Sequence, residues 1–97
     1  MMNSTNKLSV IIPLYNAGDD FRTCMESLIT QTWTALEIIF INDGSTDNSV
    51  EIAKYYAENY PHVRLLHQAN AGASVARNRG IEVATGKYVA FVHADEE

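Results

Sequence analysis

The sequence predicts an α/β fold built on one open parallel sheet with helices on both of its faces. Three observations predict it. Four short apolar, β-branched runs alternate with stretches of helical periodicity, the pattern that βαβ crossovers leave in a sequence. Turn signals close these segments at Pro13, Asp43-Gly44, Asn70-Ala71-Gly72 and Gly86. The length of 97 residues, 46% of them hydrophobic, suits one small domain with a core and leaves no room for a second.

The elements follow in order. Residues 1–7 are polar and read as a loose tail, without the apolar core of a secretory signal. Leu8-Ser9-Val10-Ile11-Ile12-Pro13 reads as a buried strand whose closing proline needs no ladder donor. From residue 19 to about 31, Phe21, Cys24, Met25, Leu28 and Ile29 repeat at three and four, an amphipathic helix with Asp19 or Asp20 as N-cap. Residues 36–41 form the second strand. Residues 49–60 form the second helix, with Ile52, Ala53, Tyr56, Ala57 and Tyr60 on one face and Pro61 ending it. Residues 63–67 form the third strand. Residues 73–84 are helical by composition, with Ala73, Ala76, Ile81 and Ala84 as packing residues and Gly86 beyond the end. Residues 87–92 form the fourth strand, and the chain stops five residues later, before anything covers the far side of that strand, which points to a truncated protein.

Composition excludes several function classes. A net charge of −5 with seven scattered basic residues argues against a nucleic-acid binder, because phosphate affinity needs clustered Lys and Arg. Cys24 is the single cysteine, so an intrachain disulfide and a cysteine zinc site are excluded; its apolar neighbours suggest an inert packed thiol. No run approaches membrane-spanning length, and the chain reads as soluble and cytoplasmic. An open sheet of this size leaves a bare edge strand, through which self-association is expected.

Parallel strands bring every strand exit to one edge, where ligands of open α/β sheets bind. The exits are Tyr15-Asn16, Asp43-Gly44, Asn70 to Gly72 and Asp95-Glu96-Glu97. In the stretch Asn42-Asp43-Gly44-Ser45-Thr46-Asp47, Asp43 falls in the crevice, Gly44 supplies the tight turn, and Ser45, Thr46 or Asp47 caps the next helix. Carboxylates converging on one edge repel unless a cation or hydrogen-bond donors stabilise them, and a divalent metal carrying a phosphate would do so. Asp95 with Glu96 and Glu97 offers the hard oxygens that Mg²⁺ or Mn²⁺ takes; a solvated acidic face is the alternative. Arg77 and Arg79 flank Asn78 and cannot share one helix face, so Arg77, nearer the helix start, is the candidate to clamp a phosphate or a base edge. His93 suits either a metal or a structural contact, whereas His62 and His67 have no constellation around them. Trp33, Tyr55, Tyr56 and Tyr60 fall on or beside helical packing faces and read as core. No serine, histidine and carboxylate grouping suggests a hydrolase, and the glycine-rich dinucleotide and Walker patterns are missing.

Five blocks in order carry a more specific signal. They are Val10 to Asn16, Ser27 to Thr32, Glu37 to Ser49, Asn70 to Asn78 and Gly86 to Val92, and together they resemble the family 2 glycosyltransferases, whose fold is the Rossmann-like GT-A type. The resemblance covers the chain after Lys7. In such enzymes the first half binds a nucleoside diphosphate sugar, and a later half supplies the acceptor site and the catalytic base. The chain resembles the first half, so residues 8–97 are expected to be the nucleotide-sugar-binding part and the base is expected beyond Glu97.

Carried over residue by residue, the resemblance implies that Pro13, Tyr15 and Asn16 line the nucleoside pocket. It also implies that Asp43 hydrogen-bonds the base, usually uracil, and that Arg77 contacts the nucleotide. The family's Asp-x-Asp motif reads His93-Ala94-Asp95 here, so Asp95 matches the metal-binding acid while His93 replaces the first acid near the ribose. The implied cofactor is Mn²⁺ or Mg²⁺. The implied reaction is an inverting transfer from a UDP-sugar to a glycan or lipid-linked acceptor hydroxyl, in polysaccharide or glycan biosynthesis, by a cytoplasmic protein or one peripheral at the membrane. The alternative, favoured by His93, is a non-catalytic nucleotide-binding or interaction module or an inactive homologue. A nucleotidyltransferase ranks third, because no glycine-rich basic loop follows Ile12.

Overall fold

The structure, a computed structural model, describes residues 7–16, 22, 25–26 and 36–92. Its elements run β1 (Leu8–Leu14), β2 (Leu36–Asp43), α1 (Ser49–Asn59), β3 (Val63–Gln68), α2 (Ala73–Val83) and β4 (Tyr88–Phe91). Arg22, Met25 and Glu26 are helical, within the helix expected between β1 and β2. The rest of that segment, including Cys24, lies outside the described residues, as do Trp33, residues 1–6 and residues 93–97.

All strand pairs are parallel, in the order β3-β2-β1-β4. The chain steps from β1 to β2 to β3 in one direction and then returns to place β4 on the other side of β1. The strand order therefore reverses between β1 and β4, the kind of position beside which ligands of open α/β sheets bind. The Rossmann-like α/β architecture expected from the alternation is the one observed.

Strand alternation sorts the core into two layers. Val10, Ile12 and Leu14 of β1 and Ile38 and Phe40 of β2 face Met25 and the Ile52, Ala53 and Tyr56 side of α1. Ile11, Ile39 and Ile41 face the opposite way, toward Ala76 of α2. On α1 the expected face is the buried one, but Tyr55 is a correction: it is 55% exposed, because its neighbour Tyr56 takes the inward position and Tyr55 only packs edge-on against that ring. A second correction concerns α2. Ala73 and Ile81 are exposed, while Ala76 and Gly80 make the contact. An added Cβ at Gly80 would lie 2.4 Å from Ile11 Cγ2, so the absence of a side chain is what lets α2 approach β1.

Two strands run past their apolar segments. β1 continues through Pro13 to Leu14. Lys7 and Ile11 turn their carbonyls toward β4, accepting the Tyr88 and Val92 N–H groups, so the nitrogen of odd-numbered Pro13 also lies on that side, beyond the last residue paired with β4. No ladder bond is lost there. β2 continues because Asn42 and Asp43 pair with His67 and Gln68 of β3.

The entry end of the sheet holds a polar cluster that the sequence did not announce. Glu37, second residue of β2, is buried; its carboxylate accepts hydrogen bonds from Ser9 Oγ (2.7 Å), Thr85 N (3.0 Å) and Arg64 Nη1 (3.2 Å), with Lys7 Nζ at 3.8 Å. Burial would raise its pKa, but the Thr85 N–H, the Ser9 hydroxyl, the Arg64 guanidinium and the Lys7 ammonium outweigh burial and hold it below the ordinary value. Arg64 Nη1 also donates to Val83 O (3.0 Å), and Gly86 N donates to Ser9 Oγ (2.9 Å), so one carboxylate ties β1, β2, β3 and the turn into β4 together.

Candidate functional site

At the opposite end of the sheet the exit loops of β1, β2 and β3 are laced to one another. Asn16 lies at φ 49°, a left-handed conformation that asparagine tolerates better than most residues. That turn lets its N–H donate to Ser45 Oγ (3.1 Å) and its Oδ1 accept the Thr46 N–H (2.8 Å). The Ser45 hydroxyl donates to Leu14 O (3.2 Å), and the Ser45 N–H donates to Asn42 Oδ1 (3.0 Å). With Oδ1 so engaged, Asn42 turns its NH₂ to His67 Nδ1 (3.0 Å). The expectation that His67 has no constellation is therefore corrected: its partners lie 25 residues away and were not visible as a local pattern. The expectation that Ser45, Thr46 or Asp47 caps this helix is corrected: the N-cap position of α1 is Asn48, which makes no side-chain cap, and Asp47 instead closes an Asx turn ahead of it by accepting the Ser49 N–H at 2.9 Å.

Asp43 is the centre of this edge and is only 4% exposed. Its Oδ1 accepts Gln68 Nε2 (2.9 Å) and Ala71 N (2.7 Å), and its Oδ2 accepts Gly72 N (3.0 Å). Gly72, at φ 101°, turns two successive N–H groups toward one anion, a backbone nest at the start of α2. Asn70 Nδ2 completes the clamp by donating to Asp43 O (3.0 Å), and Gly44 at φ 77° passes so close that an added Cβ would meet Asn70 N at 3.0 Å. Burial raises the Asp43 pKa; the Gln68 amide, then the Ala71 and Gly72 N–H groups, outweigh it and leave the carboxyl below its ordinary value. The charge is held entirely by neutral donors.

The remaining sequence candidates distribute around this centre. Pro13 is half-buried on β1, and Tyr15 projects beyond it, 56% exposed. Arg79 donates to His67 O (3.4 Å), which puts it on the β3 side of α2. Two residues subtend about 200° around a helix, so half-buried Arg77 does not share that side of α2. His93 and Asp95 lie outside the described residues. Among the described residues no cluster of three or more His, Cys, Asp or Glu side chains forms a metal site. Sequence reasoning missed Gln68 and assigned no role to Asn42 and Asn70, although both stand in the exit stretches it singled out; the local sign was that polar residues cluster at the exits of β2 and β3. A hollow of about 250 Å³ lined by Arg22, Asn48, Glu51, Ile52 and Tyr55 lies on the α1 side and includes none of the sequence-predicted site residues.

The family model described as glycosyl transferase family 2 matches residues 9–97. The chain belongs to this family. It is 97% identical, over all 97 residues, to the uncharacterized glycosyltransferase YibD of Escherichia coli (strain K12), of which it covers 28%. Among solved structures it resembles S. aureus TarS 1-349 in complex with UDP-GlcNAc, with a TM-score of 0.82 and 30% identity over 92% of this chain and 26% of that one. It also resembles the mannosyltransferase PcManGT from Pyrobaculum calidifontis in complex with GDP-Man and Mn²⁺, with a TM-score of 0.85 and 25% identity over 94% of this chain and 28% of that one. The chain thus spans little more than a quarter of each of these relatives. The GT-A fold expected for this glycosyltransferase family is the fold these neighbours share. Among the described residues no helix is long and apolar enough to cross a membrane.

Proposed function

We propose that residues 8–97 form the donor-binding part of a glycosyltransferase that moves a sugar from a nucleoside diphosphate sugar, a UDP-sugar, to the hydroxyl of a glycan or lipid-linked acceptor with inversion, in polysaccharide or glycan biosynthesis. The observation that carries this reading is Asp43: a buried, ionised carboxylate beside the reversal of strand order, satisfied by neutral donors and hence still negative toward the crevice. UDP-GlcNAc bound to TarS and GDP-Man bound to PcManGT support a nucleotide-sugar ligand.

In this reading Asp43 accepts the base N–H on the remaining lone pair of Oδ2, while Pro13, Tyr15 and Asn16 line the nucleoside and Arg77 meets the phosphates. His93 would take the place of the family's first acid, near the ribose. Asp95 would hold a divalent Mn²⁺ or Mg²⁺, which would supply Lewis-acid neutralisation of the departing diphosphate when bound. The acceptor oxygen forms the new bond to the anomeric carbon as the bond to the diphosphate breaks, and a base beyond Glu97 takes the hydroxyl proton. The protein works in the cytoplasm or peripherally at the membrane. The exposed β4 residues Tyr88, Val89 and Phe91 are the surface through which copies would associate.

Calorimetry tests the donor site. UDP should bind weakly alone and more tightly with Mn²⁺; equal affinity with and without the ion would remove Asp95 as its ligand. His93 in place of an acid favours a second reading, a module that binds nucleotide without transfer. Retained UDP binding with no sugar transfer by the full-length protein, restored by His93→Asp, would select it.

A further inference from the structure

Gln68 is the one described residue with a buried side-chain atom left without a partner: its Oε1 has no hydrogen-bond donor. Buried acceptors are rarely orphaned, so this one needs a cause. Rotating the amide does not supply one, because the exchange would set a carbonyl oxygen against the Asp43 carboxylate. The orientation is dictated by Nε2 donating to Asp43 Oδ1 at 2.9 Å, and the orphaned oxygen is its consequence. An apolar side chain at this position on the edge strand would leave no orphan. The geometry points to Gln68 as a positioning residue: it holds the Asp43 carboxylate ionised and aimed, and it acts on the nucleotide only through Asp43.

The inference rests on the nucleotide-binding reading of Asp43. Two features give it content. Gln68 supplies the only side-chain hydrogen bond to that carboxylate among the described residues, the other two coming from backbone N–H groups. The titratable and charged groups on the elements around it contribute none: Tyr15 follows β1, His67 turns to the opposite face of the sheet to meet Asn42, and Arg77 and Arg79 lie to either side of α2. No salt bridge between described residues reaches Asp43. Its charge state therefore depends on Gln68 more than on any cation, consistent with the Gln68 amide being the strongest of the influences that lower its pKa.

The test compares Gln68→Met and Gln68→Glu with the wild-type protein in UDP binding from pH 5 to pH 8, as ratios at each pH so that titration of the diphosphate itself cancels. Thermal melts establish that each variant is folded. Gln68→Met removes the donor, so Asp43 protonates at higher pH and the fold-loss of UDP affinity should grow as pH falls from 8 to 5. Gln68→Glu should behave in the opposite sense. At pH 8 two carboxylates abut and binding is weakest; toward pH 5 the pair shares a proton that restores a donor to Asp43, and affinity recovers toward the wild type. A packing role alone would lower affinity or stability by the same ratio at every pH, and flat ratios for both variants would overturn the inference. If either variant fails to fold, the slope of the other decides. Failure of the underlying reading looks different: the wild-type protein would show no UDP binding, or Asp43→Asn would bind as the wild type does.

Discussion

β2 carries a buried carboxylate near each end, Glu37 at its entry and Asp43 at its exit, on the same face and about 20 Å apart. Both are held below their ordinary pKa against the effect of burial, and they are held by different means. Glu37 is met by Arg64, Lys7, Ser9 and Thr85, so its charge is compensated by two cations and it joins β1, β3 and the turn into β4. Asp43 is met by one amide and two backbone N–H groups, none of which cancels its charge. The difference separates a bolt from a candidate site. A compensated anion binds its own chain and offers a ligand little, whereas an anion satisfied by dipoles stays ionised and still presents net charge to whatever enters the crevice.

Removing the bolt should produce the largest effect. Glu37→Ala leaves the buried Ser9 hydroxyl and the Thr85 N–H without their acceptor and Arg64 without its anion, a loss of about 2–4 kcal/mol of folding stability by chemical denaturation. UDP affinity per folded molecule should hold. If affinity falls as far as stability does, the two ends of β2 are not independent.

Asp43→Asn addresses the other end and should cost about 1–3 kcal/mol of UDP binding, the range for a hydrogen bond to a charged group. The amide keeps the shape but sets an NH₂ against donors. Its own NH₂ group cannot accept from the Ala71 and Gly72 N–H groups and the Gln68 amide together, so a smaller stability loss is expected as the 70–72 turn loosens. A mutant that unfolds with no separable binding defect would make Asp43 a second bolt and erase the contrast.

What could be read from the sequence divides along the same line. Asp43 was legible because a carboxylate directly after Ile38-Ile39-Phe40-Ile41 and before Gly44 is a local pattern at a strand exit. Glu37 was not, because a glutamate near the start of a strand looks like solvent-facing alternation, and its partners Ser9, Arg64 and Thr85 lie 28, 27 and 48 residues away. The four strands and the two faces of the sheet followed from apolar periodicity. The contact face of α2 did not: in Ala-Ser-Val-Ala-Arg-Asn-Arg-Gly-Ile the small residues carry the packing, so Gly80 sits against Ile11 while the apolar Ile81 is 48% exposed. Arg77 was chosen over Arg79 for its place near the helix start; of the two, Arg79 donates to His67 O on β3.

Acid should reveal both carboxylates at once and by a smaller margin at mild pH. A group whose pKa is depressed on folding contributes stability at pH values above its unfolded pKa, near 4 for these carboxyls, and loses that contribution as pH falls through the folded value. Stability should therefore be flat in this respect above about pH 5 and decline below about pH 4. In Glu37→Gln the decline should be shallower, since one of the two depressed groups is gone. An equally steep decline would mean that Glu37 is not ionised more readily in the folded chain than in the unfolded one.

The smallest effect sharpens what the cations at Glu37 contribute. Arg64 is 41% exposed at its side chain and lies 3.2 Å from Glu37 Oε1, so water competes with the pair and salt screens it; Arg64→Met should cost no more than about 1 kcal/mol. Part of that loss belongs to the Val83 carbonyl, which also accepts from Arg64 and can turn to water once the guanidinium is gone. The methionine keeps the apolar stem, so packing along β3 is preserved. Raising salt to 1 M should weaken the wild-type protein slightly and the variant less, bringing the two together, because screening acts on the pair that only the wild type retains. If Arg64→Met instead costs as much as Glu37→Ala, the bolt is an ion pair in which the neutral donors Ser9 and Thr85 are incidental, and the contrast with Asp43 rests on the cation alone.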